Sequence, residues 1–383
     1  MKGTKTEKST FNTQLDNLFE SFGSSQKKTR IEALSEMYHI SSHYYVPLLF
    51  DQYDYLTKCY SKCLQNKQEI ESVLVIQNLQ SMVISVPKYA TKIFLLYHQT
   101  LLSVIRNKNP ENLKVESLRL LSVLCLLLKD HDMNDELNSI LFQLVEYSNK
   151  KSDKKITDRL LTEILRTCGI LLTSLPTSFL ERPNEGEHSE LFFYQFDYLY
   201  YHFLNYFDST SQEIKNESAQ IITLLWSIKQ SDASLDSVDF ETQFDELIWM
   251  LNDLSSQCTK SNKKNKFKKK IQIQEMIDSL QGNNFPTKEF QIKSNSINIT
   301  NWVHFKQLEL FKKILKTGFQ KHMEKNNLFW GLFNYQIINY KKTNSFCARS
   351  QDRKQYHKKN SKILKNKRKL CRQQKMKALD NYF

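Results

Sequence analysis

Seven Gly and six Pro are all that this chain of 383 residues has for sharp turns and helix breaks. Sheet hairpins and irregular loops consume both residue types, whereas helix interiors exclude them. A chain so poor in both is predicted to be mostly helical. No stretch shows the sustained apolar–polar alternation of a strand. The fold class expected is therefore all-α.

Leu15, Leu18, Phe19 and Phe22 open an amphipathic face at helical spacing behind Ser9-Thr10, a suitable cap, and SSQKKTRIEALSEMYHI follows as a second helix. Further helices are expected near 45–65, 68–85, 88–105, 111–129, 134–149 and 154–174. After the loop TSLPTSFLERPNEGEHSE come others near 189–207, 211–229 and 239–256. The run LRLLSVLCLLL is apolar on every face, as suits a helix buried between neighbours. Paired helices of this length with short turns predict an armadillo- or HEAT-like helical solenoid; an irregular helical bundle is the plainer alternative, because no repeat consensus can be extracted. The expected organisation is a flexible N-terminus over 1–11, a repeat domain over 12–258, a basic linker over 259–270, a small helical C-terminal unit over 271–340 and a basic tail over 341–383. Within the C-terminal unit, IQIQEMIDSLQGNNFP reads as a short helix ended at Gly282 and Pro286. The segment 301–333 reads as two helices broken at Gly318.

Charge is unevenly distributed. The chain is +14 overall, yet residues 341–383 carry 15 Lys/Arg against Asp352 and Asp380. Residues 1–340 hold 40 basic and 39 acidic side chains, so the tail carries nearly all of the net charge. Such a tail implies a polyanionic partner. Its candidate RNA contacts are Arg349, Arg353, Lys354, Lys358, Lys359, Lys362, Lys365, Lys367, Arg368, Lys369, Arg372, Lys375 and Lys377. No Gly or Pro follows Gly331, so the tail is able to form one helix of about 25–30 residues, roughly 40–45 Å long. On a helical wheel its cations surround the rod, whereas a membrane-surface helix segregates charge from an apolar face. Like charges repel, so the helix is expected to order on RNA. Charge alone suits RNA binding and a bare nuclear-targeting tail equally. A second cluster, Lys263, Lys264, Lys266, Lys268, Lys269 and Lys270, is a possible secondary RNA contact, with a solvated linker as the simpler reading.

Seven scattered cysteines read as reduced thiols rather than a disulfide framework. With no apolar leader and no long apolar run, the expectation is a soluble protein, cytoplasmic with the nucleus as a second location, without membrane association. His39/His43 and Cys59/Cys63 mimic a zinc set by count, but nothing brings the pairs together, and no metal is expected. Trp302, His322 and Trp330 suit packing of the C-terminal unit, and the carboxylates suit solvated helix faces. No phosphate-binding glycine loop, HExxH or GxSxG motif is present. The expectation is no enzyme, no cofactor and no small-molecule substrate.

The segment WVHFKQLELFKKILKTGFQKHMEKNNLFWGLF resembles the C-terminal signature of the interferon-related developmental regulator family, with Trp302, Phe311, Leu315, Gly318, His322, Met323, Asn327, Leu328 and Phe333 in the family's order. LDNLFESFGSSQKKTRIEALSEMYHI resembles the family's first helices, and KKNSKILKNKRKLCRQQKMKALDNYF its closing basic run. NYQIINYKKTN departs from the family pattern, replacing a Gly/Pro-containing segment. The resemblance implies a helical-repeat protein without a catalytic site. It implies one of two roles: a factor on translationally idle 80S ribosomes whose C-terminal helix lies in the mRNA path, or a transcriptional co-regulator with nuclear protein partners. On the first, the partners are rRNA and ribosomal proteins, mainly of the small subunit and the intersubunit space.

Overall fold

The computed structural model describes residues 16–66, 68–128, 133–149, 156–176, 195–230, 239–257, 263–282, 288–292, 295–299 and 301–333. All of these fall within one compact unit spanning Met1–Tyr335. After a helical stretch over 16–22, the elements are α1 (Lys27–His43), α2 (Tyr53–Gln65), α3 (Glu69–Ser85), α4 (Ala90–Arg106), α5 (Glu111–Leu127), α6 (Asn134–Asn149), α7 (Asp158–Ser174), α8 (Gln195–Leu204), α9 (Gln212–Gln230), α10 (Asp239–Gln257) and α11 (Lys263–Leu280). Then follow β1 (Lys288–Ile292), β2 (Asn295–Ile299), α12 (Trp302–Leu315), α13 (Phe319–Lys325) and α14 (Asn327–Leu332).

The helices form an all-α solenoid. Each odd helix from α1 to α9 packs on the next odd helix, building one continuous layer, while α2, α4, α6 and α8 each pair with the odd helix that follows. Position in this layer explains composition. α5 has neighbours on several sides, and Leu118, Leu120, Leu121, Val123, Leu124 and Cys125 are all fully buried. α4 instead has one apolar stripe of Ile93, Phe94, Tyr97, Leu101 and Ile105, while Leu95 and Leu96 face out. Helix ends use ordinary chemistry: the Thr157 hydroxyl accepts from the Leu160 N–H at the start of α7 (3.2 Å), and Asn301 Oδ1 from the His304 N–H at the start of α12 (2.7 Å).

Three features depart from the sequence expectation. First, β1 and β2 pair antiparallel, Phe290 opposite Ile297 and Ile292 opposite Asn295. Short strands joined without an Asn-Gly or Asp-Gly turn give a weak sequence signal. Second, the basic run read as a linker over 259–270 belongs, from Lys263 onward, to α11. Lysine is a good helix former, and the apolar Ile273, Met276, Ile277 and Leu280 anchor the second half of that helix against α9 and α10. Third, α12 lies along the odd-helix layer and contacts α1, α3, α5, α7 and α9. The C-terminal unit is thus a strap across the solenoid.

Candidate functional site

The thirteen tail cations from Arg349 to Lys377 lie outside the described residues. Of the second basic cluster, Lys263, Lys264, Lys266, Lys268 and Lys269 are described in backbone only, as the first turns of α11, and Lys270 is exposed. The best-defined chemistry is the seam where the strap meets the odd-helix layer.

The strap's ends are fixed by the residues that carry the sequence resemblance. Trp302 is buried, and its indole N–H donates to Ser279 Oγ of α11 (2.7 Å). Phe311 and Phe329 meet edge to face with centroids 4.8 Å apart, and Phe333 stacks behind Phe329. Leu315 is fully buried and Leu328 packs against the same core. Gly318 rests on the last turn of α1, so close that a Cβ there would collide with the Ser42 carbonyl oxygen. His322 is buried, with Nε2 3.0 Å from the Ser41 carbonyl oxygen. Asn327 is exposed; its neighbour Asn326 is the buried one. Asn326 donates to the Ile84 carbonyl of α3 (2.8 Å), and its Oδ1 accepts from the Leu328 N–H (3.0 Å). α13 therefore joins the C-terminal ends of α1 and α3.

Between these ends runs a line of buried charge. Arg30 of α1 pairs with Glu71 of α3 (2.7 Å). Gln80 of α3 donates to the Glu116 side chain of α5 (3.0 Å). Arg119 then bridges Glu116 (2.7 Å) and Glu163 of α7 (3.1 Å), and Arg166 bridges Glu163 (3.2 Å), Glu213 (2.9 Å) and Glu217 of α9 (3.0 Å). Arg30–Glu71, Gln80–Glu116, Arg119–Glu163 and Arg166–Glu217 each join one odd helix to the next, while Glu116–Arg119 and Glu163–Arg166 lie within one helix. The strap enters the line twice: Lys306 pairs with Glu217, and Lys313 Nζ lies 3.6 Å from Glu163. Sequence reasoning placed these carboxylates on solvated faces. Instead Glu71, Glu163 and Glu217 are at most 4% exposed. The available signal was the Glu-x-x-Arg step that recurs inside apolar helices, at Glu116/Arg119 and Glu163/Arg166.

Electrostatics at the seam are set by neighbours. Burial pushes the Glu217 carboxyl up, but Lys306 and Arg166 outweigh it and the net shift is down. Glu163 behaves alike, burial being overcome by Lys313, Arg119 and Arg166. Burial lowers the Lys313 ammonium to about 8, with Glu163 offsetting part of the fall. A cleft of about 530 Å³ opens beside the seam, lined by Arg166, Lys312 and Lys313 and by Glu213, Glu217 and Glu309. Its cations and carboxylates balance, so it offers no net field for a polyanion. The seam is a latch: desolvated charges held in pairs set where α12 sits, while the apolar anchors contribute the larger part of its stability, about 1.5–3 kcal/mol for each fully buried large side chain.

His39 and His43 stack on α1, ring centroids 4.4 Å apart, and Cys59 and Cys63 lie on α2. Among the described residues no three His, Cys, Asp or Glu side chains gather as a metal site. Among the same residues no single helix is long and apolar enough to cross a membrane.

Two buried histidines make stability depend on pH. Burial lowers His322 and His202 each to about 4, from an ordinary value of 6.5. The unfolded chain therefore binds more protons between pH 6.5 and 4. Their contribution is complete above about pH 6.5 and is lost as pH falls through that window, by at most about 3 kcal/mol per histidine. Glu163 and Glu217, shifted down, add a further loss only below the ordinary carboxyl range. Urea midpoints should drop between pH 7 and 5, and His322→Gln should flatten that drop.

The family model described as interferon-related developmental regulator matches residues 1–280, well over half of the chain. The match ends with α11, so the strap that carries the sequence resemblance follows the matched stretch. No curated protein matches the chain. Solenoid and family match agree, and the chain belongs to the interferon-related developmental regulator family.

Proposed function

We propose that this protein is a non-catalytic, cytoplasmic factor that binds non-translating 80S ribosomes, its basic C-terminal segment occupying the path that mRNA needs. The observation that carries this reading is the charge partition: 15 Lys/Arg against two Asp in residues 341–383, on a body that is almost neutral. Repression would be steric occupancy without turnover, and rRNA phosphates of the small subunit and intersubunit space would be the main contacts. Binding by charge neutralisation releases counterions, and affinity then falls steeply with salt.

The second reading is a nuclear co-regulator scaffold that gathers protein partners on the solenoid while the tail serves import. One observation weighs against it. The odd-helix layer, a natural surface for a repeat protein to hold partners, is crossed from α1 to α9 by α12. A ribosome-bound role needs no vacant solenoid face.

Sucrose-gradient sedimentation of starved-cell lysate separates the two. The expected result at low salt is co-migration with the 80S peak. Release on raising salt should follow a log–log slope of roughly −6 to −7 if about eight phosphates are engaged. Absence from the 80S peak at low salt would sink the proposal.

A further inference from the structure

Besides the tail and the first turns of α11, lysines gather along one edge of the folded body, four of them over tyrosine rings. The α1–α2 and α3–α4 turns share one edge, bridged by His322 of α13 to Ser41 and by Asn326, just past that helix, to Ile84. Along this edge Lys316 Nζ lies over the Tyr38 ring (5.6 Å to the centroid) and Lys321 Nζ over Tyr44 (3.8 Å). Lys88 lies over Tyr89 (5.1 Å) and Lys92 over Tyr53 (5.7 Å), and those two rings stack on each other at 4.4 Å. All four lysines are exposed, as is Lys325, one turn beyond Lys321 on α13. Over α1, the α1–α2 turn, α2, the α3–α4 turn, α4 and residues 316–325, the acids are Glu32, Glu36, Asp51, Asp54 and Glu324 against eleven Lys/Arg, so these elements are net positive.

Two features separate this edge from an ordinary solvated surface. A lysine seated over a ring has given up much of its rotamer freedom before any ligand arrives, while its N–H donors stay available. Lys316 is also the one non-glycine residue among those described with a positive φ, at φ 47° and ψ −120°. That is a conformation glycine adopts freely and a side chain adopts at a cost. A lysine there holds a charge where backbone chemistry favours none.

We infer that this Lys–Tyr edge, centred on Lys316 and Lys321 with Lys88, Lys92 and Lys325, is a second RNA-binding surface that contacts phosphates of structured rRNA. The inference rests on the ribosome reading above and extends it from the tail to the folded body. The ligand class follows from the residues. Lysine acts as a compact point charge for phosphate, whereas cores of protein–protein interfaces are depleted of lysine and rich in arginine and buried aromatic anchors. The edge has five lysines and no arginine, and its rings are partly capped by ammonium groups.

The test uses the full chain and purified 80S ribosomes, with affinity measured across a KCl series. An edge variant carries K88Q, K92Q, K321Q and K325Q; a tail variant ends after Tyr340; and Lys316→Gly is made separately. The edge variant is expected to bind at least tenfold more weakly at 0.1 M KCl, with the salt slope shallower by about 3. Lys316→Gly should weaken binding severalfold while its thermal midpoint stays level or rises, a combination that a merely structural lysine would not give. Parental affinity and slope in the edge variant, alongside loss in the tail variant, would overturn this inference and leave the tail reading standing. Loss in the edge variant with binding kept in the tail variant would support the edge and sink the tail. Parental binding in both would sink both. An edge defect confined to a nuclease-resistant protein contact would also overturn it, making the edge a protein-docking surface.

Discussion

Replacing Glu217 with Ala is expected to destabilise the protein by about 3–5 kcal/mol, the largest loss of any single side chain in the seam. Glu217 is 4% exposed and pairs with both Lys306 of the strap and Arg166 of α7. Its removal leaves the buried Lys306 without its carboxylate and Arg166 with only Glu163 and Glu213. Lys306→Met should cost less, because Glu217 keeps Arg166 and the methionine fills the volume of the lysine stem. The double variant Glu217→Gln with Lys306→Met should be milder than Glu217→Ala alone, since it removes charge from both sides while retaining bulk. Urea denaturation of the three variants gives the order directly. Equal losses for Glu217→Ala and Lys306→Met would show that Arg166 is not part of the coupled set. Hydrogen exchange adds a local readout: if the seam fixes the strap, amides of α12 should open well before those of α5 in Glu217→Ala.

The seam also shows where the sequence was readable and where it was not. Helix positions were legible because apolar spacing, short polar breaks and the scarcity of Gly and Pro all point the same way. Helices expected near 111–129 and 134–149 are found at Glu111–Leu127 and Asn134–Asn149. The solenoid followed from their length and pairing. The ionic line did not, because Glu116 with Arg119, three apart on one helix, looks the same whether it faces water or a neighbouring helix. What makes these charges structural is Glu163 on the next odd helix, a partner 44 residues from Arg119, and no local pattern records that pairing. The strap was hidden for a related reason. An amphipathic stretch such as 302–315 is equally able to close a small unit of its own, and its landing on α1 to α9 is set by surfaces far away in sequence. Gly318 was visible as a break between helices, but its closeness to Ser42 was not. The hairpin escaped because Phe290, Ile292, Ile297 and Ile299 alternate over too few residues. The tail, legible in charge, lies outside the described residues.

Ending the chain after Tyr340 should reduce affinity for 80S ribosomes at 0.15 M salt by at least about a hundredfold and leave the melting temperature unchanged. The deletion removes 15 basic and two acidic residues, nearly the whole net charge of the protein. A ligand that engages six to ten phosphates loses about 10³–10⁵ in affinity over a fourfold rise in salt, so losing most of those contacts outright must be felt at least as strongly as a hundredfold. Stability should not follow, because the strap anchors Trp302, Phe311, His322 and Phe329 all lie before the cut and are already buried. Circular dichroism and ribosome pelleting on the same preparation provide both readouts. A fusion of the truncated chain to a foreign nuclear-targeting segment separates the two proposed roles. On the ribosome reading it remains inactive in repressing translation, because import supplies none of the lost phosphate contacts. On the scaffold reading, return to the nucleus restores activity, since the solenoid alone would hold the partners. A truncated chain that still pellets with ribosomes at 0.15 M salt would move the contact onto the folded body, where Lys316 and Lys321 already stand at an exposed edge.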